Sequence, residues 1–262
     1  MEIFNAIGLE ILKGKTLNDL AEDAEKFGEA SLSMRGSGGI IHGRCWRIGG
    51  GLEVWTTHYE SAIGEISYAD CRPGFRARHT QKINSWSLYE DEEGEAALEG
   101  YTENPAVRVF FQLQNLTEIQ AVNFERKSLN VGLCGLAHRA AVSAPDENFH
   151  WKPLAEISPG SKADRTNWSL RGRVQDFKLL CNPHSGKNLY WIHLDLGDLA
   201  LEILVNRRTL RGANRLRVGA MIKADIWLQG HIAGQSTFHS CYEGVDWSAG
   251  SAAFWKHLKK LN

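Results

Sequence analysis

The sequence lacks any long apolar run. No stretch approaches the ~20 residues that a membrane-spanning helix needs. Glu2 and Glu10 lie where a secretory leader would carry positive charge before uninterrupted apolar residues. We therefore expect a cytoplasmic protein that does not contact a membrane. With 43% hydrophobic and 23% charged residues in a chain of 262, the composition is typical of an ordinary globular protein with one or two domains.

Cysteines are few, odd in number and far apart, which fits neither a disulfide framework nor a zinc-ribbon spacing. They are Cys45, Cys71, Cys134, Cys181 and Cys241, and we expect them to stay reduced. Two further groups, His42 with Cys45 and His231 with His239 and Cys241, lack the paired spacing that fixes a tetrahedral zinc site. No metal and no cofactor is predicted.

Signatures of catalysis are missing too. The chain has no nucleophile elbow, no P-loop and no HExxH motif. Cys71 is followed by Arg72 and has His79 nearby, and positive charge lowers the pKa of a thiol toward a reactive thiolate. Because no family signature accompanies the pair, a structural cysteine is the preferred interpretation, and a protein without catalytic activity is expected. An enzyme that uses Cys71 and His79 is the third functional hypothesis.

Net charge is close to zero, at −1, but the charges are unevenly distributed. Residues 90–103 carry acidic side chains and no basic one, whereas residues 207–217 carry arginines and no acid. Such blocks usually mark solvated loops, and they could also attract each other within the chain or between subunits. The near-neutral total counts against a protein dedicated to nucleic acid.

The first part of the chain combines a helical pattern with many short extended ones. Residues 1–33 are predicted to be helical, with Gly28 at the end of the helix. Between residues 40 and 142, apolar stretches alternate with turns such as the glycine triplet 49–51. This pattern predicts an antiparallel sandwich or curved sheet.

A polar, proline-containing stretch from Pro145 to Asn167 predicts a domain boundary. The expected division is an N-terminal helix and antiparallel β domain, residues 1–150, and a β barrel with a C-terminal helix, residues 165–262. Ser251 is the expected start of that last helix. No internal repeat is evident in the sequence.

The clearest pattern lies between residues 168 and 232. Alternation places Ile192 and Leu194 on one face of a strand and Trp191 and His193 on the other. Gly197 and Asp198 follow as a two-residue hairpin turn with glycine first. A first strand precedes this hairpin, and a crossing over residues 207–217 leads to a further strand, residues 220–228.

This order of three strands, a crossing and a fourth strand resembles the OB-fold, a five-stranded Greek-key barrel, over residues 168–240. Gly172, within the first strand, lies where such barrels bend. Residues 231–244, which follow the fourth strand, lack the alternation of a fifth. The predicted fold class is mainly β, with an N-terminal antiparallel β domain, an OB-like barrel and short helices at both termini.

The resemblance implies a ligand on the outer face of the barrel and on its neighbouring loops, here residues 181–188 and 229–235. Aromatic rings among cations suit single-stranded nucleic acid, because bases stack on rings for ~1–3 kcal/mol each. The side chains predicted on this face are Arg171, Arg173, Trp191, His193, Lys223 and Trp227.

A tryptophan pair beside a second β domain is more simply explained as an interface between domains, since an uncovered apolar patch is costly. The first functional hypothesis is therefore a non-enzymatic binding or interaction module that contacts a protein partner or self-associates. The second is single-stranded nucleic-acid binding through the OB-like barrel.

Overall fold

The computed structural model describes residues 2–10, 17–36, 39–61, 63–90, 96–119, 127–144, 148–157 and 165–233. Across these ranges the chain is mainly β with short helices, which confirms the predicted fold class. The predicted C-terminal helix lies outside them. The helices that the ranges contain are α1 (Leu17–Phe27) and α2 (Leu154–Ile157), with 3-10 turns at Glu2–Ile7, Leu116–Glu118 and Ala213–Arg215.

The strands form one four-stranded antiparallel sheet and one ten-stranded mixed sheet. They are β1 (Glu29–Gly36), β2 (Gly39–Gly49), β3 (Leu52–Ser61), β4 (Ile66–Phe75), β5 (Gln81–Glu90), β6 (Ala96–Thr102), β7 (Arg108–Leu113), β8 (Ser128–Ser143), β9 (His150–Pro153), β10 (Asn167–Cys181), β11 (Asn188–Asp195), β12 (Ala200–Asn206), β13 (Leu210–Arg211) and β14 (Met221–Ile232). No helix within the described ranges has both the length and the apolar character to cross a membrane.

The small sheet consists of β1 to β4 in chain order. Its β2–β3 turn is the glycine triplet, in which Gly49, Gly50 and Gly51 all have positive φ. The predicted helix end at Gly28 is confirmed, whereas the prediction that the helical stretch reaches residue 33 is wrong. The helix stops at Gly28, whose N–H donates to the carbonyl of Ala24 at 2.7 Å, and the next residues pair with β2 as strand β1.

The large sheet is built around β8 and β14, which pair antiparallel along most of their length. Each of two meanders closes a five-stranded ring with this pair. In the first ring the meander is β5–β6–β7, where β5 pairs antiparallel with β8 and β7 pairs parallel with β14. The second ring is completed by the meander β10–β11–β12, in which β10 pairs antiparallel with β14 and β12 pairs parallel with β8.

The two rings therefore repeat one order of elements: a three-stranded meander, a 3-10 turn and a long strand. Each long strand also closes the ring of the other half, so β8 supplies the fifth strand of the second ring. The sheet continues across the predicted boundary at residues 150–165. The division of the chain into two domains stays a prediction.

The main core fills the rings. Ile192 and Leu194, which alternation predicted on one face of a strand, lie in this core, together with Leu170, Ile222 and Ala224 of the neighbouring strands. A second core cluster lies outside it. There α1, residues 2–7 and one face of the small sheet pack against the outward side chains Trp191, Leu136 and Leu204 of the second ring.

Candidate functional site

Trp191 lies on the outer side of the second ring and is covered. It is 2% exposed, in the second core cluster. Its indole N–H donates to the buried carboxylate of Glu202, which also accepts the backbone N–H groups of Arg78 at 2.7 Å and His79 at 2.6 Å. Trp191 thus helps to anchor the segment between β4 and β5, and its ring is not open to a ligand.

His193 and Trp227 lie next to this covered region. The His193 ring stacks on that of His79 at 4.4 Å, and burial, followed by the charge of His79, lowers the pKa of His193. Trp227 is half-buried against the second core cluster. These two side chains and Trp191 therefore lie under or beside the N-terminal part of the chain, apart from the predicted cations.

The loops predicted to flank the site are not free either. In the loop 181–188, the Asn182 side chain donates to the carbonyl of Ile7 at 2.7 Å and accepts the N–H of His184 at 2.9 Å. In the segment 229–235, Gln229 is buried within β14. Residues 234 and 235 lie outside the described ranges.

Arg171 and Lys223, by contrast, lie together. They are direct partners across β10 and β14, on the outer face of the second ring. His150 of β9 lies opposite Arg171, and Arg211 of β13 lies two strands beyond Lys223, across Ala141 of β8. Because partners across a sheet project on the same face, these side chains form one row, which we call the cation row after its three cations. It consists of His150, Arg171, Lys223 and Arg211.

Arg173, two residues along β10 from Arg171, extends this positive surface. Its guanidinium lies 5.6 Å from the centre of the half-exposed Phe149 ring. The outer face of β10 therefore carries two arginines, one of which has an aromatic neighbour.

A groove of about 610 Å³ lies at the end of the cation row that Lys223 and Arg211 form, between β8, β13 and β14. Arg139, Arg208, Arg211 and Lys223 are among the residues that line it. Arg208 is paired with Glu10 at 3.2 Å. Among the described lining residues Asp225 alone is acidic, so the groove has a clear excess of positive charge.

The surroundings of His150 are also positively charged, and the pKa of His150 is lowered. Burial lowers it first, and the charges of Lys152, Arg171 and Lys223 lower it further, because each cation disfavours a second positive charge on the imidazole. His150 is therefore neutral near pH 7, and the charge of the cation row comes from Arg171, Lys223 and Arg211. Their shared face is a region of positive potential, which is the electrostatic requirement for a phosphate-bearing ligand.

Sequence reasoning missed His150, Arg139, Arg208 and Arg211. The arginine block 207–217 was a usable signal, but it was assigned to a solvated crossing. Nothing in the local pattern shows that β13 pairs with β8, about seventy residues earlier in the chain.

Cys71 and His79 have different surroundings. Cys71 is buried in the second core cluster, and burial, followed by the charge of Asp70, raises its pKa to about 12. His79 is exposed and stacks on His193. A thiol with this pKa stays protonated near neutral pH, so this geometry gives no support to an activated nucleophile.

A second polar cluster ties the small sheet to the 3-10 turn Leu116–Glu118. Arg76 bonds Glu53 at 2.8 Å and Glu118 at 3.0 Å. Burial alone would lower the pKa of Arg76, but the two carboxylates outweigh burial and raise it. Arg47 also pairs with Glu118, at 3.3 Å. The two arginines balance the two carboxylates, so the cluster acts as a structural anchor.

In the part of the chain that the structure describes, no three His, Cys, Asp or Glu side chains are placed to hold a metal ion. His239 and Cys241 fall outside that part. No known protein family, no curated protein and no solved structure matches the chain.

Proposed function

We propose that this chain is a non-enzymatic protein that binds single-stranded nucleic acid, with the phosphates held along the cation row. The observation that carries the proposal is the alignment of His150, Arg171, Lys223 and Arg211 from four strands beside a groove lined by further arginines. Cations spaced along a groove can track a phosphate backbone without reading its sequence.

The strand order supports the proposal. We infer that each ring is an OB-like barrel, because each combines a meander, a 3-10 turn and a long strand with one parallel and otherwise antiparallel pairings. OB-folds commonly bind oligonucleotides. In the second ring the fifth strand is β8, which precedes the meander in the chain, instead of a segment after β14.

The net charge of −1 does not oppose this function, because acidic residues of the block 90–103 pair with cations away from the cation row. Glu99 pairs with Arg108 at 2.8 Å and with Arg165 at 3.5 Å, both on the first ring. Lys82 pairs with Glu103 at 3.8 Å. The positive surface of the second ring is therefore local, and local charge governs the attraction of a polyanion.

Fluorescence anisotropy with a labelled single-stranded oligonucleotide, at several salt concentrations, tests the proposal. We expect affinity to fall steeply with salt, because each phosphate contact releases counterions and contributes a slope of about −0.7 in log K against log salt. Arg211→Ala and Lys223→Ala should each weaken binding roughly 3- to 10-fold and reduce the slope by about one contact.

The matched control is Lys26→Ala, which removes an exposed cation from α1, on the small sheet, and should leave affinity and slope unchanged. Binding that is absent at low salt, or that Lys26→Ala weakens as much as Arg211→Ala, would contradict the proposal. Light scattering on the same samples separates oligonucleotide binding from self-association of the chain.

A further inference from the structure

In the first ring, the outer face of β6 and β7 occupies the place that the covered face of β11 and β12 occupies in the second ring. On β6 and β7, Leu98, Val109 and Phe111 are fully buried in the main core. The residues that alternate with them therefore project outward. Tyr101 lies opposite Arg108, and Glu99 lies opposite Phe110, across the β6–β7 pair.

This face carries aromatic rings and guanidinium groups in contact. Arg165 lies over Phe110, with its guanidinium carbon 4.2 Å from the ring centre, and is 5.1 Å from the centre of the Tyr89 ring. The Tyr89 hydroxyl donates to Glu99 at 3.0 Å, and Arg108 donates to the same carboxylate at 2.8 Å. We call Tyr89, Tyr101, Arg108, Phe110 and Arg165 the stacking platform.

The platform is held in position and is still accessible. Glu99 fixes both arginines and the Tyr89 ring, so little conformational freedom is lost when a ligand binds. Tyr89 is 42% and Tyr101 38% exposed. The two tyrosine rings thus offer surface to a flat ligand, whereas Phe110, 6% exposed under Arg165, and Trp191 on the second ring do not.

Strand β9 joins the platform to the cation row. The Trp151 indole N–H donates to the carbonyl of Arg108 at 3.2 Å, and its ring stacks on Trp168 at 4.3 Å. The residue before Trp151 is His150, the first member of the cation row. Strand β9 thus carries His150 of the cation row on one face and, on the other, Trp151, which contacts the strand that bears Arg108.

We infer that the stacking platform binds unpaired bases, chiefly on Tyr101 and Tyr89, of the same nucleic-acid strand whose phosphates the cation row holds. The inference rests on the proposed function and adds a second contact of different chemistry. Phosphates bind the row through charge, and bases bind the platform through stacking on rings and guanidinium planes. A double-stranded ligand has no unpaired bases for the platform.

The test compares a base-bearing oligonucleotide with an abasic one of equal length, which keeps the phosphates. We expect the protein to bind the base-bearing strand about tenfold more tightly, as for the loss of one well-stacked base. Tyr101→Leu should remove most of this difference and leave the abasic affinity unchanged. Arg211→Ala should weaken both ligands by the same factor.

The matched control is Tyr68→Leu, which alters an exposed tyrosine on β4 of the small sheet and should change neither affinity. Equal affinity of the unaltered protein for the two strands would overturn the inference while the proposed function stands. A Tyr101→Leu effect of equal size on both strands would also overturn it. Failure of both strands to bind would remove the proposed function and this inference together.

Discussion

His231 shows how a single buried residue makes stability depend on pH. It lies on β14 opposite Gly132, and a side chain at Gly132 would come within 2.3 Å of the imidazole ring. Burial, followed by the charge of Arg76, lowers the pKa of His231 from 6.5 to about 4. The folded state therefore holds His231 neutral at a pH where the unfolded chain binds a proton.

As the pH falls from about 6.5 toward 4, the unfolded state gains a proton that the folded state does not, so stability falls. Between pH 7.5 and pH 5 the contribution of His231 is about 2 kcal/mol. Urea unfolding at the two pH values should show that His231→Gln loses less stability than the unaltered protein. His184→Gln, an exposed control, should keep the full pH dependence, and identical behaviour of both variants would contradict the assignment.

Residue patterns predicted which side chains face the core, and they predicted that another part of the chain covers Trp191. They did not predict which segments form that cover. Alternation along β11 separated Ile192 and Leu194 from Trp191 and His193, as observed. The cover over Trp191 comes from residues 2–7 and the small sheet, which contact it only in the folded chain. The local sequence shows which side chains of a strand share a face, but it does not show which distant segments pack on that face.

At the scale of elements, β8 and β14 are the two long strands that both rings share. β14 was predicted as a strand over residues 220–228, and β8 ends the region of extended segments predicted between residues 40 and 142. Their double role was not predictable. The parallel contacts that close the rings, β7 with β14 and β12 with β8, involve only a few residue pairs that are distant in the chain.

Glycines of β8 and β14 allow side chains inside the rings to pack closely against these two strands. A Cβ at Gly230 would lie 2.5 Å from two Phe111 ring carbons, and a Cβ at Gly135 would lie 2.6 Å from Ile226. Neither clash can be relieved at a flexible side-chain end in solvent, because Phe111 and Ile226 are fully buried. Both glycines are therefore required by packing.

Gly230→Ala should destabilise the protein by about 1–3 kcal/mol, the usual cost of overpacking a core. Chemical unfolding measures this loss. The double variant Gly230→Ala with Phe111→Leu should lose less than the sum of the two single changes, because the smaller side chain makes room for the added methyl. Strict additivity would show that Phe111 is not the obstacle.

At the scale of the whole molecule, the cation row and the stacking platform depend on chain-distant strands. The row combines β9, β10, β13 and β14, and the platform combines β5, β6 and β7 with Arg165. Sequence reasoning found Arg171 and Lys223 because both lie on strands of one predicted barrel. It did not find the platform, because the sequence does not show that β5, β6 and β7 close a ring with β8 and β14.

The central claim, that a nucleic-acid strand lies along the cation row, is tested most directly by lysine acetylation followed by mass spectrometry. Acetylation is compared with and without saturating single-stranded oligonucleotide. The account predicts protection of Lys223 in the row and of the exposed Lys152 on β9, with Lys26 of α1 equally reactive in both states. Unchanged reactivity at Lys223, or equal protection of Lys26, would contradict it.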